Sequence, residues 1–396
     1  MRPFRITIAL LALLVLAGPA AAGASLKMAI GAAEDEGRNA DPAVAMAKMD
    51  LAKAAGFDAI RVTAIWTPGQ SQVPPDQLAA LQSISAAGLF DNVTVYATVM
   101  PFGSKTTPLT VTARNQFAAF AADMVRRVPG IRNVIVGNEP NINRYWLPQF
   151  GPNGENVAAQ SYTQLLARTY DALKAVDPTT FVIGGSLSPH GSDNPTLSRQ
   201  THSPTQFILD MGTYYRASGR TKPLMDGLAL HPYGENSSVS PSATHPNSTT
   251  IGLADYPKLV ALLGRAFDGT ATRGTRLPII YDEYGIESQI PSNKLHLYSG
   301  REPSTTKPVS EAQQADDYEE ALQIAACQPN VRAMFLFHVT DERNLDRWQS
   351  GVYYPDGKPK SSRAAVKQTI EQVRAGAVDC SPPTASSIWQ VISTHP

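Results

Sequence analysis

Two stretches, far apart in the chain, each end an apolar run in a carboxylate. The first reads Ile131-Arg132-Asn133-Val134-Ile135-Val136-Gly137-Asn138-Glu139-Pro140-Asn141, the second Leu277-Pro278-Ile279-Ile280-Tyr281-Asp282-Glu283-Tyr284-Gly285. A carboxyl group at the end of a buried strand, inside a partly enclosed cleft, suits proton transfer. In the second stretch Asp282 competes with Glu283. Neighbouring strand residues point to opposite faces, so one of the two aims into a cleft. Glu283 is preferred, on the expectation that it shares a face with Tyr281. Two carboxyl groups across one pocket are what glycosidic cleavage needs: one protonates the leaving oxygen, the other meets charge developing at the anomeric carbon. Their separation decides whether configuration is kept or inverted.

Something must bring residues 139 and 283 together. Eight short, mostly continuous apolar runs are candidate strands: Lys27–Gly31, Ala59–Thr63, Val93–Thr98, Ile131–Val136, Thr180–Gly184, Gly227–His231, Leu277–Tyr281 and Ala333–His338. Such runs suit parallel strands buried on both faces. Amphipathic stretches alternate with them: Ala43–Ala55, Pro75–Ala87, Thr112–Arg127, Ala158–Val176, Pro204–Ala217, Leu253–Phe267, Glu311–Cys327 and Ser361–Arg374. Gly56, Gly130, Pro178, Gly269 and Pro329 punctuate their ends. Eight strand–helix units predict an α/β fold, a single-domain (β/α)8 TIM barrel, with active-site loops after the strands. A doubly wound open sheet is the competing architecture. It calls for a Gly-rich phosphate turn after the first strand, and Ala29-Ile30-Gly31-Ala32-Ala33 is not one.

Composition narrows the function classes. Lys and Arg number 34 and Asp and Glu 34, so the formal net charge is zero. Nothing points to capture of nucleic acid or an anionic surface, and a neutral polar partner such as a carbohydrate fits. Met1-Arg2-Pro3-Phe4-Arg5, an apolar run to Ala17 and small residues to Ala24 form a secretory signal, with cleavage after Ala22 or Ala24. An uncleaved anchor is the other reading. The expected division is residues 1–24 signal, 25–375 barrel and 376–396 tail, giving a secreted monomer without a membrane span. Cys327 and Cys380 are two thiols that an exported protein can join, tying the tail back; two unpaired thiols are the alternative. Two cysteines and seven scattered histidines show no metal-ligand spacing, and no cofactor is expected. Asn92, Asn236 and Asn247 open glycosylation tripeptides.

Asn138-Glu139-Pro140 ending the fourth strand, and a Glu ending the seventh, resemble the cellulase-like clan of retaining (β/α)8 glycoside hydrolases, including families 5 and 39. The resemblance covers nearly the whole chain after residue 24. It implies Glu139 as acid/base and Glu283 as nucleophile. It implies that Asn138 binds the sugar 2-hydroxyl and that Arg61, in Ile60-Arg61-Val62, steadies the nucleophile. His231-Pro232-Tyr233 resembles the clan's His-x-Tyr, whose Tyr contacts the nucleophile. Residues Trp348 to Lys360 resemble the segment that follows the last strand. One departure is plain: many members carry a Trp sugar platform at the end of strand eight, where this chain reads Phe335-Leu336-Phe337-His338. Phe337, His338 or a folded-back Trp348 are the substitutes. Trp66 and Trp146 are further candidate sugar platforms, as are Tyr145 and Phe150.

These readings converge on a secreted retaining O-glycosidase acting on β-linked poly- or oligosaccharide by double displacement. The alternatives are a carbohydrate-binding barrel without turnover, and a transglycosylase that shares the first half-reaction.

Overall fold

The computed structural model describes residues 27–381. The expected signal sequence and the tail from residue 382 lie outside the described residues. The eight strands are β1 Ala29–Ala33, β2 Ala59–Trp66, β3 Thr94–Pro101, β4 Asn133–Val136, β5 Phe181–Leu187, β6 Gly227–Leu230, β7 Ile279–Tyr284 and β8 Val331–Phe337. All neighbours pair in parallel and the ring closes in chain order, β8 against β1. That closure excludes the open doubly wound sheet. The helices are α1 Pro42–Ala54, α2 Pro75–Asp91, α3 Val111–Arg127, α4 Val157–Val176, α5 Pro204–Ala217, α6 Tyr256–Phe267, α7 Glu311–Ala326 and α8 Ser361–Ala375.

The strands are apolar throughout because both faces are covered. Ala59, Tyr96, Ile135, Ile183, Ala229, Ile280, Ala333 and Phe335 form a separate cluster inside the barrel. Their neighbours Ile60, Val95, Val134, Val182, Leu228 and Ile279 belong to the larger layer against the helices. Tyr96 and Phe335 meet edge to face at 4.9 Å, so the interior is packed and the barrel is no pore. Helix starts are signalled locally. Asp41, Thr110, Ser203 and Ser310 each accept a first-turn backbone N–H, of Ala43, Ala113, Gln206 and Gln313 respectively.

The expected elements differ from the observed ones mainly at strand ends. β2, β5 and β7 each run three residues beyond the expected ends, towards the mouth, and in β5 and β7 the extension carries polar side chains, Ser186, Asp282 and Glu283. Cys327, capping the end of α7, is bonded to Cys380 beyond α8, and among the described residues no cysteine is free. No described helix is long and apolar enough to cross a membrane.

Candidate active site

The carboxyl ends of the strands surround a cleft of about 460 Å³ that contains both Glu139 and Glu283. Another cavity, of about 430 Å³, lies outside the barrel between α4 and α5, where the carboxylate Asp171 is already paired with Arg220 at 2.8 Å. The mouth is therefore the site with chemistry.

Glu139 follows β4 and reaches the cleft through a local turn. Gly137 and Glu139 both have positive φ, and Glu139 N–H donates to the Ser186 carbonyl at 2.7 Å. Tyr162 on α4 ties this end to β5: its hydroxyl donates to Val136 O and accepts from Gly185 N, both at 2.7 Å.

Glu283 arrives by a different route, and the shared-face argument from sequence does not hold. Tyr281 points outward, its hydroxyl donating to Gln328 at 2.6 Å. Strict alternation with Ile280 sends Asp282 into the barrel interior, where it is fully buried. Glu283 gains the cleft because the β7–β8 register slips between Tyr281 and Tyr284.

Arg61, on the inner face of β2, collects the site. Its guanidinium donates to Thr98 Oγ1 at 2.7 Å, Glu283 Oε1 at 2.7 Å and Asn138 Oδ1 at 3.2 Å, and Nε lies 3.5 Å from Asp282. Burial opposes its charge, but Glu283 and Asp282 outweigh that and hold it protonated. Tyr233 donates to Glu283 Oε2 at 3.2 Å. Burial and the charge of Glu283 keep that phenol well above its ordinary range, hence neutral.

His231 is completely buried beneath both carboxylates. Its Nδ1 is 3.0 Å from Glu139 Oε1 and 3.4 Å from Glu283 Oε2. Burial alone would lower this imidazole, but the charges of Glu283 and Asp282 lift it to about 10. Asp282 is held below its ordinary range: burial works against it, and the His231 and Arg61 cations overcome that.

An aromatic wall flanks Glu283. Trp348 folds back into the mouth, with ring centroids 5.0 Å from Tyr233 and 5.3 Å from Phe337. Glu342 pins it by accepting the Trp348 N–H at 3.0 Å. Phe337 and His338 also line the cleft. His338 Nδ1 faces the Ala33 carbonyl at 2.8 Å. Against the cost of burial, Glu342 and Glu34 raise its imidazole to about 9.

Two candidate platforms are corrected. Trp66 and Trp146 are fully buried away from the cleft. Trp66 faces outward from β2, edge-on to Phe117 of α3, because alternation from inward Arg61 sends even-numbered residues to the helices. Trp146 packs on Tyr162 and donates to Ser161 of α4. Phe150 lies against His202, ring centroids 4.0 Å apart and tilted by 44°. Tyr145 does line the cleft.

Two polar residues of this end escape a reading of sequence alone. The Ser186 hydroxyl donates to Asp282 at 2.7 Å. Glu34, which looks like a solvated loop residue beside Asp35 and Glu36, is buried and accepts from Thr340 N and Oγ1 at 3.1 Å. The Gly184-Gly185-Ser186 end of β5 is the available signal for the first; nothing local marks the second. Among the described residues no cluster of His, Cys, Asp and Glu could hold a metal.

No protein-family model and no curated protein sequence matches the chain. Solved structures do. A family 39 glycoside hydrolase from Bacteroides cellulosilyticus WH2 is similar at 16% identity and TM-score 0.61, over 89% of this chain and 64% of that one. The chain thus spans under two thirds of that enzyme's length. A family 5 enzyme from Streptomyces cattleya, solved with Manβ1-4GlcNAc, is similar at 14% identity and TM-score 0.59, over 90% of this chain and 83% of that one. A monomeric β-xylosidase from Caulobacter crescentus matches at 18% identity and TM-score 0.54, over 88% and 69%. At such identities the likeness speaks for the fold.

Proposed function

From a chain with the (β/α)8 fold of the cellulase-like glycosidases, we propose a secreted retaining glycoside hydrolase acting on a β-linked oligo- or polysaccharide. One observation carries the reading. Glu139 and Glu283 both touch His231 Nδ1, at 3.0 and 3.4 Å, so their nearest oxygens lie no further apart than those two distances combined. That bound on the nearest oxygens is compatible with the roughly 5–5.5 Å between carboxyl groups of retaining enzymes.

Glu283 attacks the anomeric carbon while Glu139 gives its proton to the leaving oxygen. The glycosyl ester on Glu283 is then opened by water, whose proton Glu139 accepts, and the sugar leaves with its configuration kept. Arg61 and Tyr233 hold Glu283 by one oxygen each, aiming it as a nucleophile. With Asn138 Oδ1 committed to Arg61, its Nδ2 is left to donate to a sugar hydroxyl. Trp348 and Phe337 offer the aromatic faces that this chain lacks at the usual position. The N-terminal 24 residues direct export in this reading.

The test is covalent trapping. Incubation with a panel of 2-deoxy-2-fluoro aryl β-glycosides is expected to inactivate the enzyme and to add one glycosyl mass on the peptide holding Glu283. A label on any other residue, or turnover surviving in Glu283→Ala, contradicts the assignment. Binding of glycan without turnover by wild type would instead favour the carbohydrate-binding barrel.

A further inference from the structure

Double displacement by Glu139 and Glu283 does not account for three features: the buried Asp282, the serine beside it, and the turn of chain that presents that serine. Ser186 has a positive φ, as does Gly185 before it, and the β5–β6 register slips between Gly185 and Leu187. A Cβ on Gly185 would meet the Ala229 carbonyl oxygen at 2.6 Å, so this turn needs glycine. It turns the Ser186 hydroxyl inward and its carbonyl towards the Glu139 N–H.

The hydrogen count then fixes the role of His231 Nε2. Ser186 has one hydroxyl hydrogen, and ionised Asp282, 2.7 Å away, can only accept it. Ser186 Oγ must therefore accept from His231 Nε2, at 2.9 Å, so Nε2 carries a hydrogen. Nδ1 faces Glu139 and Glu283. Nδ1 then either accepts from a protonated Glu139 or, with His231 an imidazolium, donates to it; the buried Asp282 and the neighbouring Glu283 favour the imidazolium. The neighbouring carboxylates favour that cation over the opposing burial and Arg61 charge. Asp282 Oδ1 lies 3.4 Å from Nε2, Arg61 of β2 sits on Asp282, and the Tyr233 ring stands edge-on at 6.2 Å.

We propose that Asp282, together with Ser186, is a positioning residue for the acid/base, holding His231 doubly protonated and oriented so that Nδ1–H stays on Glu139. The inference rests on the glycosidase reading for its kinetic consequence. When Glu139 gives its proton to the leaving oxygen, the new carboxylate already has a cationic donor on Oε1. His231 keeps both its protons, and the one lost from Glu139 returns from water in the second step.

The experiment compares wild type, Asp282→Asn and Ser186→Ala by 15N NMR of the histidine rings at pH 8, with His231→Gln locating the signal. Wild type should show an imidazolium, and Asp282→Asn a neutral ring. If His231 remains an imidazolium in Asp282→Asn, the proposal is overturned. In kinetics, Asp282→Asn should lose about 10-fold or more in kcat/KM on a poor phenolate leaving group and little on a dinitrophenyl glycoside. Its alkaline limb, set by ionisation of Glu139, should also move to higher pH, because a carboxyl facing a neutral ring is harder to ionise. Equal losses on both substrates would mean a merely structural role. Ser186→Ala, which keeps the buried charge pair, should move both readouts in the same direction by less, and it stands in should Asp282→Asn not fold. A wild type that releases inverted product sinks the retaining reading, and one that releases none sinks the glycosidase reading, while the NMR result still decides the state of His231.

Discussion

Arg61 shows how residue-scale electrostatics and catalysis share one side chain. It neutralises Asp282 and Glu283 where water cannot. Replacing it by Met leaves two carboxylates, one fully buried, sharing the single cation His231. Chemical denaturation at neutral pH should show a loss of about 3–5 kcal/mol, because removing one partner strands a buried charge. Glu283→Ala should lose turnover on the order of 10⁴-fold, with azide restoring part of it as an α-glycosyl azide, inverted relative to the β-linked substrate. The two carboxylates were legible because each ends an apolar run in a polar residue. The choice between Asp282 and Glu283 was legible by resemblance, not by alternation. A register slip moves side chains between faces, and no periodic pattern encodes it. Trp66 and Trp146 misled for a related reason: an aromatic near a strand end looks the same whether it faces sugar or helix.

At the scale of elements, the alternation of apolar runs and amphipathic stretches was enough to count eight units, since each unit must bury both strand faces. The loops that build the mouth were not legible, because their contacts are distant in sequence. Trp348 reaches the cleft through Glu342 and a neighbouring turn. Trp146, buried against α4, is expected to act through stability. Trp146→Ala should cost about 3–5 kcal/mol in unfolding, with no preferential effect on poor leaving groups. Beneath Trp348, Glu287 accepts the Gln349 N–H and faces Glu302. Burial pushes the Glu287 carboxyl up to about 7. A raised carboxyl is neutral in the fold at low pH and ionises at a cost, so stability falls as pH rises from its ordinary value, near 4.5, through 7. Glu287→Gln should therefore raise Tm relative to wild type at pH 8 and leave it nearly unchanged at pH 4. A difference constant with pH would mean that the ionisation is not responsible.

At the scale of the molecule, the ring closes without its ends being joined in sequence. The disulfide clamps the last helix by linking positions 53 residues apart. Loop-closure entropy puts its contribution at about 4 kcal/mol. Cys327→Ser with Cys380→Ser should lower Tm and leave kcat at 25 °C unaltered, since neither cysteine lines the cleft. Equal loss of activity and stability would show that the clamp shapes the mouth. Likeness to family 39 and family 5 enzymes at 14–19% identity is what the barrel's physics allows: layer packing and strand-end geometry persist while loops diverge. The decisive property for the proposed function is what the mouth does to a glycosidic bond. Proton NMR of the first product released from an aryl β-glycoside, read before mutarotation, tests this most directly. The β-hemiacetal appearing first is the predicted result. First appearance of the α-anomer would mean that water attacks across a wider gap, and would contradict the carboxylate pair described above.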